Sequence, residues 1–124
     1  MTTRTTLSLA AVLGALAVML GAFGAHGLKP MLEQSGRLEV FQTAVTYHFY
    51  HVFALLATGV LMELLPDKKQ RYAAVCFLVG ILLFSGSLYA LCFINIGKLG
   101  MITPVGGVFL IVGWVMLALS VGRK

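Results

Sequence analysis

Four uninterrupted apolar runs dominate this chain, over residues 7–28, 44–65, 72–96 and 101–122, each 22 to 25 residues long with charged residues only at the edges. At about 1.5 Å per residue, a helix of that length crosses a hydrocarbon core about 30 Å thick. Backbone polar groups in lipid must be satisfied internally, which leaves helices or a closed barrel. Barrel strands alternate polar and apolar residues over about ten positions, and these runs do not alternate. The expected fold is therefore all-α: an integral membrane four-helix bundle with short hairpins. Only 10% of the residues are charged and 60% are apolar, against roughly a quarter charged in a water-soluble domain. The 124 residues suit a single transmembrane domain, 1–124, without a second folded module.

The first run has a basic residue before it, Arg4, and small residues near its end, as a secretory signal would. It is longer than the roughly 7 to 15 apolar residues of a signal core and is read as a retained helix. Local signals place the other boundaries. Pro66 ends the second helix, and Asp67 with Gln70 has the spacing of a capping box that opens the third. Gly97 offers a left-handed stop, and Thr103 followed by Pro104 reads as an N-cap with proline at the first helical position. The helices are expected at about 7–28, 42–65, 70–96 and 103–122. Residues 29–42 mix charged and apolar types and are expected to lie along the membrane interface as an amphipathic segment, opened by Pro30 and broken near Ser35 and Gly36.

Basic residues set the orientation. Arg4, Lys68, Lys69, Arg71, Arg123 and Lys124 fall on one side, and Lys29, Arg37 and Lys98 on the other. The larger group predicts both termini and the 66–71 hairpin in the cytoplasm, with the bacterial cytoplasmic (inner) membrane as the location. The net charge of +5 is then topology, and nucleic acid is not an expected partner. Helix contacts are expected at small residues: Gly14, Ala17, Gly21 and Ala25 in the first helix, Gly86 and Ala90 in the third, Gly106 and Gly113 in the fourth. Cys76 and Cys92 are sixteen residues apart on one helix, about 24 Å along its axis, and are read as packing residues.

Polar side chains within the spans gather toward the outer side: His26, Thr43, Tyr47, His48, His51, Ser85, Ser87, Tyr89, Asn95 and Thr103, with Glu33 and Glu39 at the interface. Such groups are costly in hydrocarbon, so this cluster is the candidate site, binding or structural. His48 and His51 share a helix face. With His26 they have the ligand chemistry of a transition-metal site, and His26 with His48 that of a haem axial pair. Their expected depths differ, whereas metal ligands must converge within about 2.1 Å of one ion. The favoured expectation is neutral histidines hydrogen-bonded within the bundle, with no cofactor. No nucleophilic triad, phosphate-binding loop or intramembrane protease dyad is recognisable.

The segments Gly21-Ala22-Phe23-Gly24-Ala25-His26-Gly27-Leu28, Phe41-Gln42-Thr43-Ala44-Val45 with Tyr47-His48, Phe84-Ser85-Gly86-Ser87-Leu88-Tyr89, Thr103-Pro104-Val105-Gly106-Gly107 and Gly113-Trp114 together resemble the domain-of-unknown-function 423 family, small bacterial inner-membrane proteins with an animal relative, transmembrane protein 256. The resemblance spans essentially the whole chain. It implies a four-helix membrane protein and brings no activity, ligand or catalytic residue.

The expected function is that of a non-enzymatic accessory, assembly, or lipid- or partner-binding membrane protein, with the bilayer and a membrane-protein partner or homo-oligomer as its surroundings. One alternative is a small transporter or proton-conducting oligomer using His26, Tyr47, His48 and His51. The other is a haem-, quinone- or metal-binding membrane protein.

Overall fold

The computed structural model of the chain describes residues 1–94 and 96–122. Four long helices, α1 (Thr3–Ala25), α3 (Leu38–Leu64), α4 (Lys68–Phe93) and α5 (Thr103–Val121), are joined by one short helix, α2 (Lys29–Gln34), and a 3-10 turn at Gly97–Met101. Each long helix, with the 3-10 turn counted into the last, has the length and hydropathy of a membrane span.

Several boundaries differ from those expected, for local reasons. α1 begins at Thr3 rather than residue 7 because the Thr2 side chain accepts a hydrogen bond from the Thr5 amide, which draws the threonine-rich start into the first turn. It ends at Ala25, where the His26 and Leu28 amides close onto the Ala22 and Phe23 carbonyls. α3 begins at Leu38 rather than 42, because α2 stops abruptly. Gly36 at φ +70° lets its own amide reach the Glu33 carbonyl and the Arg37 amide reach that of Leu32, a complete Schellman stop. The expected break near Ser35 and Gly36 therefore lies there, and only the first half of the 29–42 segment is a separate short helix. α4 ends at Phe93, three residues before the expected end, and Gly97 opens the 3-10 turn instead of stopping a helix.

The hairpin between α3 and α4 is built as its spacing indicates. Asp67 accepts from the Lys69 amide at 2.8 Å, and the Gln70 side chain accepts from the Asp67 amide at 3.2 Å. Gln70 also donates to the Leu65 carbonyl at 2.7 Å, so both ends of a fully buried amide are engaged. Thr103 behaves otherwise: α5 has no side-chain cap, and the Thr103 hydroxyl is hydrogen-bonded to that of Ser87 on α4.

Each long helix packs on its neighbour in sequence, α1 on α3, α3 on α4 and α4 on α5, while α1 and α5 have no substantial contact with each other. Backbone approach is closest between α4 and α5. A Cβ at Gly106 would lie 2.7 Å from the Leu83 carbonyl carbon, and one at Gly113 would lie 2.8 Å from the Phe77 ring. Gly14, Gly21 and Gly24 of α1 face Val52, Val45 and Phe41 of α3. The expected Gly86 contact is absent, since nothing among the described residues lies within 4 Å of a Cβ there; Gly80, against Leu110, is the α4 glycine that meets α5. Ala25 is likewise exposed, and Gly24 takes its place at the interface.

Val12, Leu16, Val18, Met19 and Phe23 of α1, and Val108, Ile111, Val115 and Leu119 of α5, stand exposed on the exterior. A continuous apolar exterior of this kind suits acyl chains rather than water.

Candidate functional site

The polar residues singled out in the sequence separate into distinct groups. On the α1 side of α3, His48 is 3% exposed, and its Nδ1 lies 2.9 Å from the Tyr89 hydroxyl of α4. Its Nε2 is buried and makes no well-formed hydrogen bond among the described residues, although the backbone of Leu13 in α1 lies close to the ring. Tyr89 also packs edge-on against Phe41, with ring centroids 5.4 Å apart.

On the α5 side, one turn deeper, His51 is 5% exposed and engaged at both ring nitrogens. Nδ1 lies 2.7 Å from the Tyr47 carbonyl, and Nε2 accepts from the Trp114 indole at 3.0 Å. A carbonyl can only accept and an indole N–H can only donate, so the chemistry of the partners fixes the neutral Nδ1–H tautomer. A proton on Nε2 would face another N–H, and a metal there would have to displace Trp114.

Ser85 donates to the Ala44 carbonyl at 2.8 Å, tying α4 to α3. Ser87 is bonded to Thr103 and to the Phe84 carbonyl, tying α4 to α5. The candidate cluster is therefore largely a set of cross-helix hydrogen bonds, which replace a hydrophobic driving force that lipid does not supply.

The remaining candidates face outward. His26 is exposed where α1 ends, Thr43 and Tyr47 are exposed on α3, and Glu39 is exposed in its first turn. Glu33 lies 3.9 Å from Lys29 in an exposed pair on α2. Asn95 lies outside the described residues. No group of three or more His, Cys, Asp or Glu side chains converges among the described residues in a way that could hold a metal ion.

Trp114 is a member of the site that residue-type reasoning omitted. Its signal was available in principle: a lone indole N–H in an apolar span needs an acceptor. With Tyr47, His51, Phe84, Gly107 and Ile111 it lines an open, mainly apolar groove of about 400 Å³ between α3 and α5.

Comparison with known proteins agrees with this architecture. A family model described as "Protein of unknown function (DUF423)" matches residues 20–107. A Staphylococcus aureus protein named UPF0382 membrane protein SAB0533 is 43% identical over 113 residues, covering 88% of this chain and 91% of its own. A UPF0382 membrane protein of Haemophilus influenzae is 44% identical, covering 90% and 89%. The UPF0382 inner membrane protein YgdD of Escherichia coli is 36% identical, covering 99% and 93%. No solved structure matches the chain. With its four apolar helices and a match across most of its length, the chain belongs to the DUF423 family of membrane proteins.

Proposed function

We propose that this chain is a non-enzymatic accessory protein of the cytoplasmic membrane, with both termini inside, whose α2 end holds a lipid at the outer leaflet. The observation that carries the reading is the closed hydrogen bonding of His51 between Tyr47 and Trp114. This buried imidazole of the α3–α5 side holds a wall in place and has no free nitrogen for acid–base or ligand chemistry. The groove beside it is open and mainly apolar, which suits an acyl chain.

Two experiments test the reading. Native mass spectrometry of the protein released in mild detergent is expected to find stoichiometric lipid; a bare monomer would overturn it. A membrane-impermeant maleimide is expected to label Ser35→Cys in intact cells and to leave Thr2→Cys untouched, and the opposite pattern would invert the topology.

A second reading has one specific support, the unpartnered Nε2 of His48. A buried imidazole with a free nitrogen beside a phenol is a fitting element for proton movement in an oligomer. Proton flux in proteoliposomes that disappears in His48→Leu would favour it, and absence of flux in the parent chain would remove it.

A further inference from the structure

Along α3, Glu39, Thr43, Tyr47 and His51 follow one another at four-residue steps, forming a stripe that winds gradually around the helix toward α5, with Gln42 and Thr46 bordering its upper end. The upper part of this stripe is a shallow, open polar depression of about 340 Å³ whose lining, Glu39, Gln42, Thr43, Thr46 and Tyr47, comes from α3 alone. The lower part is the apolar groove of about 400 Å³ against Phe84, Gly107, Ile111 and Trp114. Tyr47 belongs to both, so the two depressions adjoin. From Glu39 to His51 is about 18 Å along the helix axis, the length of a lipid headgroup followed by the upper part of an acyl chain. The polarity changes in the same order: a carboxylate, an amide and hydroxyls at the membrane edge, then aromatic and aliphatic surface.

From this juxtaposition we infer that the α3 face is a lipid site selective for a phospholipid whose head ends in a primary ammonium, as in phosphatidylethanolamine. The inference rests on the lipid-holding reading above and adds the class of lipid. Glu39 is the charge that selects. It forms no ion pair among the described residues, and no basic side chain lines the depression. A primary ammonium supplies both a positive charge and N–H donors to that carboxylate. A quaternary choline head has the charge but no donor, and a glycerol head leaves the lipid anionic beside an anionic side chain. The Thr43 and Thr46 hydroxyls and the Gln42 amide are donors suited to the phosphodiester. Below, the chain lies against Trp114, which His51 holds in place, and over Gly107, where a Cβ would rest 3.7 Å from the Phe84 ring and any longer side chain would fill the groove.

Trp114 is the only tryptophan, so its fluorescence reports directly on the groove. The full chain is reconstituted into phosphatidylcholine vesicles containing equal fractions of phosphatidylethanolamine, phosphatidylcholine or phosphatidylglycerol with brominated acyl chains. Brominated phosphatidylethanolamine is expected to associate about three- to fivefold more strongly than the other two, the ratio that one charged contact at a wet interface supplies. Glu39→Gln is expected to abolish the preference with helicity unchanged. Gly107→Leu, or Ile111→Phe should the first not fold, is expected to weaken quenching by all three lipids. Equal quenching by the three lipids in the parent chain overturns the head selectivity and leaves a non-selective lipid site standing. A preference that survives Glu39→Gln overturns the assignment to this face. Quenching that the groove-filling variants do not reduce overturns the site itself, while the search for co-purified lipid decides the wider reading separately.

Discussion

The Trp114 indole of α5 donates to Nε2 of His51 on α3 at 3.0 Å, joining two helices that share little other contact. The His51 ring also packs on Phe77 of α4, with centroids 6.0 Å apart, so one side chain on α3 touches both other helices of that half.

Trp114→Phe keeps the aromatic wall and removes the donor, leaving a buried lone pair on Nε2. Hydrogen bonds inside membrane proteins contribute about 0.6 kcal/mol on average and up to about 1.7; with both ends of this one fixed, the loss is expected in the upper part of that range. Denaturant titration in detergent micelles measures it. His51→Phe with Trp114→Phe should cost less than the sum of the two single changes. Strict additivity would mean that the bond contributes nothing.

The elements that sequence made legible are those set by neighbours along the chain. Lipid-length apolar runs specify spans, and the Asp67–Gln70 spacing specifies the hairpin, because both are satisfied within a few residues. The partners across helices were not legible. His51 and Trp114 are 63 positions apart, and their meeting depends on how α5 is rotated against α4. A small-residue stripe says that a helix can be approached, not that it is: Gly86 faces open space, whereas Gly80 is covered by Leu110. Thr103 had the local pattern of a cap, and a tertiary bond to Ser87 competed with it and won. The cost of polar groups in lipid nominated these residues as one cluster. Their division into a His48 group and a His51 group follows from side-chain direction, which one sequence does not reveal.

The glycines offer a paired test of the α4–α5 interface. In Gly106→Ala the new Cβ meets the backbone of Leu83 and Phe84, which cannot rotate away as a side chain can. Over-packing of this kind costs about 1 to 3 kcal/mol. Gly86→Ala meets nothing, and should be neutral or stabilising by up to about 1 kcal/mol through helix propensity. Thermal unfolding of both variants in the same detergent checks the contrast. Equal effects would contradict the packing described.

His48 and Tyr89 can be separated from their surroundings by a mutant cycle. Tyr89→Phe leaves Nδ1 as well as Nε2 of His48 without a partner, and a stranded buried polar group costs about 1 to 3 kcal/mol. Adding His48→Leu replaces both partners by apolar groups and should recover much of that loss. A double variant less stable than Tyr89→Phe alone would show that His48 has a further partner, which would remove the free Nε2 on which the proton-moving reading rests.

Gln70 is a buried amide at the hairpin, and its two bonds, to the Asp67 amide and the Leu65 carbonyl, close the turn around Pro66. Gln70→Leu fills similar space but strands both backbone groups, so local opening should become easier by about 1 to 3 kcal/mol. Lys68 and Lys69 open α4 directly after this turn and supply a trypsin site. When opening is fast relative to cleavage, the cleavage rate follows the population of the open form. The variant should therefore be cut about tenfold faster for each 1.4 kcal/mol lost. Gln70→Glu retains an oxygen to accept from the Asp67 amide but sets a second oxygen against the Leu65 carbonyl, so its rate should also exceed that of the parent. Unchanged cleavage in both variants would mean that Pro66 and Asp67 alone hold the turn.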